Sequence, residues 1–242
     1  MILPTISYQN KYDNEYLFLL LTNRFYGLCD AIEAKYGVYI NSSMEIPWLK
    51  RQYINNKRFY HNISHITFTL ELYDIIKTEI KDVEKRIAMQ WALIYHDIIY
   101  MAERGDDFNI KLSIDSALYS LDDDRLQNFS NLVKEYIMAT HHFKLMANEN
   151  ERMALSTEAK HISDIDLYAF ALHYSTVKTN TIHVRKEFSH LTDKEFYVGQ
   201  AEFMKKILNL RCIYLTKFFG KFEQTARNNI ENLIKYSLET NQ

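Results

Sequence analysis

The stretch Ile87-Ala88-Met89-Gln90-Trp91-Ala92-Leu93-Ile94-Tyr95-His96-Asp97-Ile98-Ile99-Tyr100 decides how this chain reads. From Ile87 to Leu93 it is apolar on nearly every side, and a helix of that kind lies in the middle of a fold. The spacing predicts a helix over 83–101. His96-Asp97 falls inside that run. An ionised aspartate among so much hydrocarbon is costly unless it is paired or coordinates a metal. A buried ion pair with an arginine is the competing explanation.

Outward from this stretch, helical periodicity recurs in both directions. Leu17, Leu20, Leu21, Phe25, Leu28 and Ile32 follow three- and four-residue steps and end near Gly37, a helix stop. Residues 48–54 form a short helix after Pro47, and Ile63, Ile66, Leu70, Tyr73 and Ile76 mark a second long one. Residues 103–109 read as a loop. Asp122–Asp124 offers an N-cap to a helix carrying Leu126, Phe129, Leu132, Val133 and Ile137. A polar loop over 148–158 is closed by Ser156 or Thr157 as a cap. Thr192-Asp193-Lys194-Glu195 fits a capping box, and a last helix runs from about 221 to 238.

Composition agrees. Five glycines and two prolines in 242 residues are too few for a turn-rich sheet fold. With no linker, repeat or low-complexity tract, the expectation is one all-α domain over 1–242. The 29 Lys+Arg nearly balance the 31 Asp+Glu, for a net charge of −2, and the basic residues are spread. That disfavours nucleic-acid binding by bulk charge. The two cysteines, Cys29 and Cys212, have no metal or disulfide spacing. The longest apolar run, 16–21, is far short of a membrane span, and residues 1–12 lack a signal-peptide layout. The expectation is a cytoplasmic protein with no membrane partner.

Several polar residues could carry chemistry. His61 and His65 stand four apart, which on a helix puts them on one face; two surface histidines would show the same spacing. Asp164-Ile165-Asp166 adds two carboxylates, of which a cap or solvated face explains one. Together with the histidines they suit a hard or borderline divalent cation with mixed nitrogen and oxygen ligands. His141 and His142 follow a helix and could meet a second metal or a phosphate, or form a surface pair. His161, His173, His183 and His190 lack a partner motif.

The order His65, His96-Asp97 and a later aspartate resembles the H…HD…D signature of the HD-domain phosphohydrolase superfamily. Arg58-Phe59-Tyr60-His61-Asn62-Ile63-Ser64-His65 resembles the R-x-YHN-x-x-H element of a bacterial family of metal-dependent HD phosphohydrolases. His96-Asp97-Ile98-Ile99-Tyr100 is similar to that family's HD-I-V-Y, and Asp164-Ile165-Asp166-Leu167 to its D-x-DL. Thr140 with His142, Arg185 before Glu187, Phe196 with Gly199, Arg211 before Ile213-Tyr214, and Glu223 through Arg227 and Asn229 extend the likeness over roughly 45–235. The YHN-x-x-H core also occurs in cyclic-nucleotide phosphodiesterases of the superfamily. Two positions depart from the pattern. Ile110 stands where the N-E-x-x-S stretch, matched by Asn109 and Ser113, has glutamate, with Asp106 or Asp107 as substitutes. Gln200 replaces an arginine.

The resemblance implies an HD-type helical bundle with N- and C-terminal helical extensions. It implies one or two divalent metal ions (Mn, Mg, Fe, Co, Ni or Zn) held by His65, His96, Asp97 and Asp166, with Asp164 as the rival of Asp166. The metal would activate water for attack on phosphorus, with Asp97 placed to bridge two ions and His61 protonating the leaving oxygen. Arg58, Asn62, His142 and Arg185 would contact substrate, although either arginine could equally serve a structural ion pair. The expected substrate is a nucleotide or related small phosphoester, a cyclic or signalling nucleotide among them, and a homo-oligomer is compatible with the reading. The Ile110 departure favours a different class, a metal- or nucleotide-binding regulator without catalysis.

Overall fold

The computed structural model describes residues 13–240. Among them are twelve α-helices, a few short 3-10 turns and no strand, so the fold is all-α. The described residues form two compact units, 13–141 and 142–240.

The first unit contains α1 (Asn14–Tyr36), α2 (Ser42–Tyr53), α3 (Ile63–Ile76), α4 (Val83–Tyr95), α5 (Asp106–Tyr119) and α6 (Gln127–Met138). As the apolar run requires, α4 is central: α1, α3, α5 and α6 all pack on it. Its residues from Trp91 through Tyr95 are entirely buried. Trp91 lies between Phe25 and Tyr95, with ring centroids 5.2 Å from each. Polar edges in this interior are matched. The Trp91 indole donates to Ala117 O at 3.0 Å, Tyr53 Oη to Ile94 O at 2.6 Å, and Tyr95 Oη to the buried Glu45 carboxylate. Unmatched, each buried group would cost about 1–3 kcal/mol.

α1 stops as its spacing predicts. Gly37 adopts φ 67°, where a side chain would be strained, and its N–H closes on Glu33 O. α3 also starts and ends where its periodicity does. Elsewhere in this unit the boundaries differ from expectation. α4 ends at Tyr95 rather than near 101, so His96-Asp97 lies just past the helix and not inside it. Hydrophobic pattern cannot reveal this end, because the following Ile98 is also fully buried. Past the helix end, Arg58 donates to Asp97 O and Ile98 O, each at 2.7 Å. α2 begins at Ser42, so Pro47 lies within it rather than ahead of it. The loop expected over 103–109 is half helix: after Gly105 the chain enters α5.

The second unit contains α7 (His142–Ala147), α8 (Glu149–Met153), α9 (Thr157–Leu167), α10 (Tyr174–Glu187), α11 (Asp193–Leu208) and α12 (Glu223–Glu239). The short α8 interrupts the polar loop expected over 148–158. Ser156 is the cap of α9, accepting from Ala159 N at 3.2 Å. Thr192 and Glu195 form the reciprocal capping box of α11.

Several residues that carry the sequence resemblance here are internal staples. Glu223 accepts from the N–H groups of Ile213 and Tyr214 and from Arg227. Asn229 donates to Phe170 O and Leu172 O, both at 2.8 Å. Gln200, which departs from the resembled pattern, bridges Thr181 and Ser237. No helix among the described residues is long and apolar enough to cross a membrane.

Candidate metal centre

His65 is on the first turns of α3, whose N-cap is Asn62: its Oδ1 accepts from Ser64 N at 2.9 Å. His96 is the C-cap residue of α4, and Asp97 follows it. The end of α4 and the start of α3 thus bring three side chains together. His65 Nε2 and His96 Nε2 are 3.2 Å apart, and Asp97 Oδ2 lies 3.4 Å from the first and 3.3 Å from the second. Both histidines are buried, and the Asp97 side chain is 18% exposed, which leaves the triangle one open side.

The chemistry of this set fits a divalent cation. His96 Nδ1 is 3.0 Å from Leu93 O. A carbonyl can only accept, so Nδ1 carries the ring proton and Nε2 keeps its lone pair for the triangle. Donors about 2.0–2.2 Å from one metal stand roughly 3.0–3.5 Å from each other on a tetrahedral or octahedral face. The three edges fall in that range. Burial alone would raise the Asp97 carboxyl. The His96 and His61 imidazoles and the hydrogen bonds of His65 and His96 outweigh it and hold Asp97 well below the usual carboxylate range.

His61 lies outside α3, two residues before its first helical residue, so a shared helix face is not what brings it to His65. Ring packing does. The His61 ring is 5.9 Å from His65, edge-on to Tyr60 at 4.8 Å, and stacked on Tyr100 at 3.7 Å with 21° between planes.

No family model matches this sequence, and no curated protein does. Solved structures do match. The phosphodiesterase domain of the Salpingoeca rosetta rhodopsin phosphodiesterase superposes with a TM-score of 0.55 at 17% identity, covering 99% of this chain and 90% of that one. A crystal structure of the phosphodiesterase domain of the RhoPDE fusion protein from the same choanoflagellate gives 0.56 at 18%, covering 99% and 94%. The fold is phosphodiesterase-like. At such identities the likeness speaks for the fold alone.

The remaining sequence-predicted residues fall into two groups. Some are already engaged with backbone. Arg58 is buried and donates to His61 O (3.3 Å), Asp97 O and Ile98 O, which is a structural use of its guanidinium. The Asn62 amide donates to Phe59 O at 3.0 Å. Arg185 closes the end of α10 through Phe188 O and Leu191 O and pairs with Asp193 at 2.7 Å. Asp164 is fully buried and accepts from Leu215 N, Thr216 N and Thr216 Oγ1 at 2.7–2.8 Å.

The second group consists of histidine–carboxylate pairs. In the second unit Asp166 Oδ2 lies 2.9 Å from His142 Nε2, with both side chains largely buried. In the first unit His141 Nε2 meets Asp107 Oδ1 at 2.7 Å, with Asp106 Oδ2 4.0 Å from its Nδ1. Ile110 is buried in α5. Sequence reasoning missed the Tyr100 stack and the carbonyl contacts of Arg58. Only the adjacency of Tyr100 to the HD-I-I element pointed toward the first.

Proposed function

We propose that this chain is a metal-dependent phosphohydrolase or phosphodiesterase acting on a nucleotide or related small phosphoester. The observation that carries the proposal is the His65–His96–Asp97 triangle, with the Leu93 carbonyl fixing the tautomer that leaves His96 Nε2 a ligand. The phosphodiesterase-like fold supports it. A divalent cation bound there would lower the pKa of water and neutralise charge on phosphate oxygens. The residues of the chain supply the rest. His65 and His96 offer neutral nitrogen, and Asp97 brings a carboxylate that stays ionised at neutral pH. His61 supplies a proton from its imidazole to the leaving oxygen, the work of a general acid. Asp166 is the further ligand the sequence resemblance implies, and metal stoichiometry of an Asp166→Ala variant tests that carry-over.

The primary test is elemental analysis of the purified protein, followed by a phosphoester screen with Mn²⁺, Mg²⁺, Fe²⁺, Co²⁺ and Ni²⁺. The expected result is bound metal, hydrolysis that depends on it, and loss of both in Asp97→Ala. Full metal content in Asp97→Ala would overturn the ligand assignment. Ligand histidines must be neutral, so occupancy should fall on acidification. The second reading, a metal- or nucleotide-binding regulator, is favoured by one observation: Ile110 puts a buried apolar side chain where the resembled family has glutamate. Metal binding without hydrolysis of any phosphoester in the screen would select it.

A further inference from the structure

We propose that Tyr100 is a positioning residue for His61, and that Asn109 and Ser113 of α5 serve to pin it. This rests on the proton-donor role given to His61 above. The two rings are stacked at 3.7 Å, 21° from parallel, in ordinary face-to-face contact. Such a contact restrains an imidazole only if the partner ring is itself held, and the backbone on both sides of Tyr100 is.

Ahead of it, Ile99 N donates to Ser113 Oγ at 3.2 Å and Ser113 Oγ donates to Ile99 O at 3.3 Å. Behind it, Met101 N donates to Asn109 Oδ1 at 3.0 Å and Asn109 Nδ2 donates to Met101 O at 3.1 Å. Asn109 and Ser113 are one turn apart on α5 and both buried, so a single helix face pins the two residues that flank Tyr100. The His61 side is also tied down. Arg58 bonds His61 O and, with the same guanidinium, Asp97 O and Ile98 O. The backbone of the proton donor and the backbone leading to its stacking partner are thus joined through one buried cation.

Three ring contacts surround His61: Tyr100 is stacked on it, Tyr60 stands edge-on at 4.8 Å, and His65 lies 5.9 Å away at 72°. A general acid works only from within hydrogen-bond reach of the leaving oxygen, so an unrestrained ring loses part of its advantage. The stack supplies that restraint through ring contact.

The test uses Tyr100→Leu, Tyr100→Phe and His61→Ala in the full chain. Metal content should be equal in all four proteins, wild type included. With an alkyl phosphodiester, whose leaving group needs protonation, Tyr100→Leu should lower the rate by about 10- to 10²-fold, short of the loss in His61→Ala. With bis(p-nitrophenyl) phosphate the loss should be much smaller, and Tyr100→Phe, which keeps the ring, should restore the alkyl-ester rate. Adding Tyr100→Leu to His61→Ala should cost nothing further. Equal losses on both esters, a Phe variant as damaged as Leu, or loss of metal would overturn the proposal.

A second readout does not require activity. In protein with isotope-labelled histidine, the His61 ring protons lie in the shielding region of the Tyr100 ring and should move downfield in Tyr100→Leu but not in Tyr100→Phe. If the shift appears and no phosphoester is hydrolysed, the contact stands while the enzymatic reading and the catalytic part of this proposal fail. If the shift is absent, the proposal fails whatever the activity.

Discussion

A single carbonyl fixes the tautomer of His96. Leu93 O, one turn back in α4, holds the Nδ1 proton and so turns Nε2 toward His65 and Asp97 with its lone pair free. His61 has no such duty, and the two kinds of histidine can be separated by experiment. His61→Ala should keep its metal by elemental analysis while losing about 10²–10⁴-fold in rate, the usual worth of a general acid. Nitrophenyl esters should suffer less. Loss of metal in His61→Ala would make it a ligand instead. The three residues of the triangle were legible because their local strings, YHN-x-x-H and HD-I-I-Y, are specific. The roles of Arg58 and Asn62 were not, because an arginine or asparagine beside a phosphate site and one that binds backbone carbonyls look alike until the carbonyls are seen.

Two buried groups, one on α8 and one on α9, tie these helices to the segment that follows α11. Asp164 receives the N–H groups of Leu215 and Thr216, while Arg152, just as buried, donates to Cys212 O and Ile213 O. Burial pushes the Asp164 carboxyl from 3.8 up to about 6, against its hydrogen bonds and the Arg152 charge. The folded carboxyl therefore holds its proton more tightly than the unfolded one. Its contribution is complete below the unfolded value and is lost as pH rises through the folded one, a change of about 3 kcal/mol. In urea unfolding, wild type should lose stability from about pH 3.5 to about pH 6.5 relative to Asp164→Asn, which cannot titrate. Parallel pH profiles would refute this. Elements were harder to read than residues. The period-3.6 pattern placed α1, α3, α6 and α12 well, but α4 runs into further apolar residues that mask its end. α5 hides behind polar residues 103–109, and α7, α8 and α10 are short or weakly patterned. An N-cap such as Ser156 or Thr192 is local chemistry and shows in the sequence; a helix end followed by further buried apolar residues does not.

At the scale of the molecule, the all-α class followed from five glycines, two prolines and continuous helical periodicity. The division at 141/142 left no compositional trace, since no glycine-, proline- or serine-rich stretch marks it. The chain has two tryptophans, and both lie in the first unit. Trp91 is sealed in its interior against Phe25 and Tyr95, and the Trp48 indole bonds Ser116 Oγ at 3.2 Å. Light emitted by tryptophan thus comes from residues 13–141 alone, whereas far-ultraviolet circular dichroism counts the helices of both units. The chain carries its own two-colour assay of cooperativity. Read as one domain over 1–242, it should lose emission and ellipticity at the same denaturant concentration. Two separated midpoints would show that the helices from α7 onward melt on their own terms, silent to fluorescence.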